Sequence, residues 1–182
     1  AIPADAAAVI SVDMRSIASK SGINDKENAT LKQHLSDALK NGLNSETSDR
    51  LAKILDSPAK SGFDLTEPIY VYSAKEFENE TVIDLCVGDR GDLNSAMEDL
   101  AKSQLCSPPE ETDHYKFTIV MGKAVLAYNR GTALLVPTKG GMTDKIRTAL
   151  DKVMQYKKEE SFCANKAFDA LKERKGDVNF YI

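Results

Sequence analysis

The 182-residue sequence has no tryptophan, only two histidines and three cysteines, and aromatic residues make up just 7% of it. Each shortage closes off a class of function. With few rings there is little from which to build a stacking platform for bases or sugars, although six tyrosines remain. Cys86, Cys106 and Cys163 are odd in number, widely spaced and without a CxxC pair, so they draw no complete disulfide framework. One bridge plus a free thiol stays open, and the expectation is three small buried hydrophobes. His34 and His114 have no HExxH partner, and two imidazoles alone would still need carboxylates from elsewhere to hold zinc.

Excess positive charge is lacking too. Lys and Arg number 24 against 28 Asp and Glu, a net charge of −4, which gives no general attraction to nucleic acid. No run approaches the ~18–20 apolar residues of a membrane-spanning helix. The apolar stretch Ala6 to Val12 follows Asp5 and has no basic segment before it, so it does not read as a signal peptide.

What is present is ordinary globular material, 42% hydrophobic and 29% charged. A chain of this length buries roughly 70% of its unfolded surface and needs no metal or disulfide to fold. Charge is nonetheless unevenly placed. Between Glu76 and Asp113 eleven acids face only Arg90 and Lys102, while Lys139 to Lys175 carries ten bases and six acids. That pattern reads either as a dipolar surface or as two solvated faces.

Periodicity supplies the elements. Val9 to Asp13 reads as a buried first strand, with Pro3 tolerated ahead of it, and Arg15 to Lys20 as a short helix closed by Ser21-Gly22. TLKQHLSDALKNGL places Leu31, Leu35, Ala38 and Leu39 at helical spacing, and SETSDRLAKILDSPAKSG does the same with Leu51, Ile54 and Leu55 before Pro58 and Gly62. These two form an expected helical N-terminal lobe. Strands follow at Pro68 to Ala74 and Glu80 to Asp89. Then comes an amphipathic helix from near Asp92 with Leu93, Ala96, Met97, Leu100 and Leu105 on one stripe. HYKFTIVM, AVLAYN and TALLVP are separated by Gly122-Lys123 and Arg130-Gly131, which predicts an antiparallel meander. A helix bearing Met142, Ile146, Ala149, Leu150 and Val153 on one face, another with Ala167, Phe168 and Leu171, and a closing strand in GDVNFYI complete the chain. The expected class is α+β, a mainly antiparallel sheet with helices packed on one face, as a single domain over 1–182.

Motifs for chemistry are thin. Ser57-Pro58-Ala59-Lys60 matches S-x-x-K and Lys60-Ser61-Gly62 mimics K-T-G, but both share Lys60, whereas those motifs must face each other from distant elements. Asp89, Asp92 and Asn94 resemble part of a calcium loop that lacks its glycine and terminal glutamate. Arg90-Gly91-Asp92 at a strand-to-helix junction reads as turn plus N-cap. Lys139-Gly140-Gly141, between a strand and a helix, offers backbone N–H groups and an ammonium to a phosphate or carboxylate, or is a plain connection. Asn28-Ala29-Thr30 and Asn79-Glu80-Thr81 are glycosylation sequons that matter only in a eukaryotic secretory route. No catalytic, cofactor-binding or metal residue is assigned.

The most informative stretches are IPADAAAVISVDMRSIASKSGI (2–23), DSPAKSGFDLTEPIYVY (56–72) and SFCANKAFDAL with KGDVNFYI near the end. Together they resemble a Bacteroidetes lipoprotein family, domain-of-unknown-function family 4836, whose mature part opens on an "IP-x-DA" approach, a first strand and a short helix ending in Lys-Ser-Gly. The resemblance implies export, a lipidated cysteine upstream of Ala1 and a second domain beyond Ile182, into which the last strand (177–182) would lead. It carries no known activity. The expectation is a non-catalytic binding or scaffolding domain of a membrane-tethered cell-envelope lipoprotein. Its partner would be an envelope protein or surface ligand, with no nucleic acid, no cofactor, and membrane contact only through the anchor. The alternatives are a hydrolase completed by a second domain, drawing on Ser57, Lys60, His34 and His114, and a secreted structural module.

Overall fold

A computed structural model of the chain describes residues 2–20, 61–173 and 176–182. Strand β1 (Ala8–Val12) leads into helix α1 (Met14–Lys20), and β2 (Ile69–Ser73) and β3 (Thr81–Cys86) precede helix α2 (Arg90–Lys102). Short β4 (Glu110–Glu111) is followed by β5 (Lys116–Val120), β6 (Ala124–Tyr128) and β7 (Thr132–Pro137). Helices α3 (Asp144–Val153) and α4 (Lys166–Glu173) and strand β8 (Val178–Tyr181) close the chain. The strands form one eight-stranded sheet in the order β4-β5-β6-β7-β3-β2-β1-β8, with every neighbouring pair antiparallel.

The meander forms where its turn residues allow. Between β5 and β6, Met121 and Gly122 both take positive φ (51° and 68°), and the Lys123 N–H closes the turn on the Val120 carbonyl at 2.9 Å. Positive φ at consecutive turn positions matches the right-handed twist of the strands it joins, and glycine is the residue that adopts it most readily.

Alternation along the strands builds two cores. On one face Val9, Tyr72, Val82, Phe117, Val125, Ala127, Leu134 and Val136 pack with Ala149, Leu150 and Val153 of α3, with Leu171 of α4, and with Phe162 from the turn before α4. On the other face Leu126, Tyr128 and Ala133 pack with Leu93 and Met97 of α2. The expectation of helices on a single face is therefore corrected: α2 covers one side and α3 and α4 the other. A helix's apolar stripe shows that it must be buried but not against which side of the sheet. The expected N-terminal lobe lies outside the described residues.

Helix α2 begins two residues earlier than its sequence pattern suggests. Asp89, not Asp92, is the cap, accepting from the Asp92 N–H at 2.9 Å, so Arg90-Gly91-Asp92 forms the first turn of the helix. Thr143 caps α3 in the same way through the Ile146 N–H at 3.2 Å. The helix that Gly62 was expected to end lies outside the described residues; Gly62 itself packs against the start of α2. Its φ is +82°, its carbonyl accepts from Gly88 and Asp89, and a Cβ there would fall 2.3 Å from the Leu93 nitrogen.

Candidate binding cleft

On the α3/α4 side of the sheet, core packing gives way near the start of β2 and the end of β3. Pairing sets Tyr70 of β2 across from Asp84 of β3, and Cys86 across from Thr132 of β7. By the two-residue period of a strand, Tyr70, Asp84, Cys86 and Thr132 all face the same way. Phe168 of α4 stands over Tyr70 with ring centroids 5.8 Å apart, and Cys163 arrives on the short 3₁₀ turn Phe162–Ala164. The segment before β2 brings Asp64, whose N–H bonds the Cys86 carbonyl at 2.9 Å, and Glu67. Together they line a cleft of about 360 Å³.

Its electrostatics are one-sided. Asp64, Glu67 and Asp84 contribute three carboxylates, and no Lys, Arg or His lines the cleft among the described residues. Asp84 is only 6% exposed and accepts a hydrogen bond from the Thr132 hydroxyl. Asp64 accepts from the Thr66 hydroxyl (2.5 Å) and N–H (3.0 Å), and these bonds hold its carboxyl below the usual range. Burial, with added repulsion from Cys163, Glu67, Asp84 and Cys86, pushes the Tyr70 phenol up to about 12. Burial and the negative field of Asp64, Glu67 and Asp84 likewise raise the Cys86 thiol. Both shifts favour the protonated phenol and thiol over the phenolate and thiolate that would act as nucleophiles. What the cleft offers is negative charge beside aromatic surface, the chemistry that receives a cation.

The residues singled out from sequence do not converge here. Ser57, Lys60, His34 and the Asn28 sequon lie outside the described residues. His114 is exposed in the turn before β5, with its N–H on the Thr112 hydroxyl at 3.3 Å. Asn94 is committed to structure, taking Lys116 Nζ at 3.0 Å and the Tyr128 hydroxyl at 3.2 Å and donating to Glu98 at 2.6 Å. Among the described residues no three His, Cys, Asp or Glu are grouped to hold a metal ion. Asn79 is exposed in the turn between β2 and β3. Lys139 lines a second groove of about 400 Å³ with Thr143 and Lys145, and Glu76, Glu78 and Glu80 line it as well.

All three cysteines are free thiols. Cys106 is buried as expected and its thiol donates to the Met97 carbonyl at 3.4 Å. Cys86 and Cys163 depart from expectation: both are half-buried and line the cleft. Asp64, Glu67, Tyr70, Asp84 and Thr132 are not singled out by any sequence motif, and of these Asp84 carries the clearest local signal. Its signal was present, an acid flanked by apolar neighbours in a strand that carries hydrophobes on both sides.

The uneven charge also resolves into contacts. Lys152 and Lys145 of the basic α3 pair with Glu76 (2.9 Å) and Glu78 (2.5 Å) of the acidic stretch, so these parts of the two segments face each other.

Fold and cleft define an α+β domain built on an open antiparallel sheet with helices on both faces. Within that class the chain belongs to the family described as domain of unknown function, DUF4836, whose model matches residues 1–182. No curated protein and no solved structure matches it.

Proposed function

We propose that this chain is a non-catalytic binding or scaffolding domain of a lipid-tethered protein of the Bacteroidetes cell envelope, and that it receives cationic groups of an envelope protein or surface polymer in the acidic cleft. The carrying observation is the state of the cleft's own side chains. Burial first, and then the carboxylates around them, favour the protonated forms of Tyr70 and Cys86, the reverse of what a nucleophilic site requires. Binding asks only for the fixed negative charge and the Tyr70–Phe168 surface. The tether is supported by the likeness of the opening IPADAAAVISVDM stretch to mature lipoprotein starts.

Intact mass spectrometry of the protein from the membrane fraction of its source tests the tether. A species longer than this chain, with a lipid-modified cysteine before Ala1, is expected, and an unlipidated form starting at or near Ala1 would overturn it. Fluorophosphonate and β-lactam probes on the full-length protein test the non-catalytic half. No covalent adduct is expected, and a stoichiometric adduct would restore the hydrolase reading.

A further inference from the structure

The acidic cleft presents more than charge, and the rest of its wall decides which cation suits it. At several places on the molecule an acid is answered by a base: Glu76 by Lys152, Glu78 by Lys145, Glu111 by Arg90 and Asp177 by Lys20. In the cleft, Asp64 and Glu67 make no ion pair among the described residues. They also come from a different element than Asp84. The Asp64 N–H is tied to the Cys86 carbonyl at 2.9 Å and the Glu67 N–H to the Asp64 carbonyl at 3.4 Å, so both acids sit on the segment that passes the end of β3. Asp84 stands on β3 itself, opposite Tyr70.

Beside these carboxylates the wall is apolar. Tyr70 and Phe168 are inclined at 39° with ring centroids 5.8 Å apart, and Ile2 and Pro68 border the same space. Rings at that spacing pack on each other, so they make a wall and not a cage around a methylated ammonium.

We propose that the occupant of this cleft is an arginine side chain, and hence that the partner is a polypeptide. The inference rests on the cation-binding reading above and narrows it, because an amine-bearing polymer carries ammonium groups and not guanidinium. Three properties of guanidinium match the wall. It carries five N–H donors in one plane, so it reaches carboxylates on two elements at once, where an ammonium acts as a point charge. Its face stacks on an aromatic ring while its edge donates, which suits carboxylates set beside Tyr70. It is also more weakly hydrated than an ammonium and keeps its proton when buried, and Asp84, the most buried of the three carboxylates, is only 6% exposed. The methylenes of the side chain have Ile2 and Pro68 to lie against.

Calorimetric titration of the protein with tripeptides blocked at both ends tests this. The probes are triarginine, trilysine and the neutral tricitrulline, which keeps the planar group without the charge. Triarginine is expected to bind at least about threefold tighter than trilysine, and tricitrulline not at all. Tyr70→Leu should bring the ratio below that, while Tyr70→Phe, which keeps the ring, should preserve it. Glu67→Gln should weaken both charged peptides in parallel. Far-UV circular dichroism checks that each variant is folded, and if Tyr70→Leu does not fold, the wild-type ratio still decides the matter. A ratio below about threefold in the wild type, or one that survives in folded Tyr70→Leu, overturns the arginine assignment and leaves the cation reading standing. Binding of neither charged peptide, binding that Glu67→Gln leaves unchanged, or tricitrulline binding as well as triarginine overturns the cation reading and this inference with it.

Discussion

Lys152, at the end of α3, donates a 2.9 Å hydrogen bond to Glu76 Oε1, and Tyr156 donates to the same oxygen at 3.0 Å. The contact joins the last turn of a helix to the 3₁₀ turn between β2 and β3, more than 70 residues away in sequence. It fastens α3 over the sheet at a point where the carboxylate is only 10% exposed.

This contact predicts an acid limb to stability. Burial alone would raise the Glu76 carboxyl, but the bonds from Lys152, its own backbone N–H and Tyr156 outweigh it and leave the carboxyl below its ordinary 4.5. A carboxyl depressed in the folded state gives stability that is fully present above its unfolded pKa and lost as pH falls through the folded one. Melting temperature measured from pH 7 to pH 3 should therefore fall more steeply in the wild type than in Glu76→Gln. At neutral pH the variant should already be less stable. Parallel curves would mean the carboxylate charge contributes nothing.

Gly62→Ala should be among the most damaging single-methyl additions in the chain. The position needs both a φ of +82° and room that a Cβ would take from the Leu93 backbone, so no side-chain movement can relieve the clash. A loss of about 2–4 kcal/mol in urea unfolding is expected. Gly131→Ala, where a Cβ meets nothing within 4 Å, serves as the control with a small effect.

The thiols should differ in reactivity. Cys106 should resist alkylation until the protein unfolds. Cys86 should react with iodoacetamide at pH 7 more slowly than a free-cysteine peptide, with its rate still rising above pH 9.0, the ordinary thiol value. Removing negative charge by Asp64→Asn with Glu67→Gln should accelerate it. An unchanged rate in that double variant would show that burial alone sets the thiol.

Much of the sheet was legible because its signals are local. The meander follows from Gly122 and Gly131 between β-branched runs, and β8 follows from alternation in GDVNFYI. The side of the sheet that each helix covers was not legible, since α2, α3 and α4 all show similar apolar stripes. The start of α2 was misplaced because Gly91-Asp92 imitates a turn and cap, while Asp89 supplies the actual bond. The cleft was the least visible feature. Asp64, Tyr70, Asp84, Cys86, Thr132 and Cys163 come from segments spread over a hundred residues and meet only through strand pairing. Cys86 and Cys163 were expected to be buried because the types usually are, and the opening between β3 and the 3₁₀ turn leaves them half-exposed.

Binding of a cation in that opening is tested most directly by ¹⁵N–¹H correlation spectra of the protein titrated with a lysine tripeptide and with its fully acetylated counterpart. Saturable shifts centred on Asp64, Glu67, Tyr70, Asp84 and Cys86 are expected with the charged peptide. They should be weakened in the Asp64→Asn/Glu67→Gln variant and absent with the acetylated one. Equal shifts with both peptides, or none at these residues with the charged one, would contradict it.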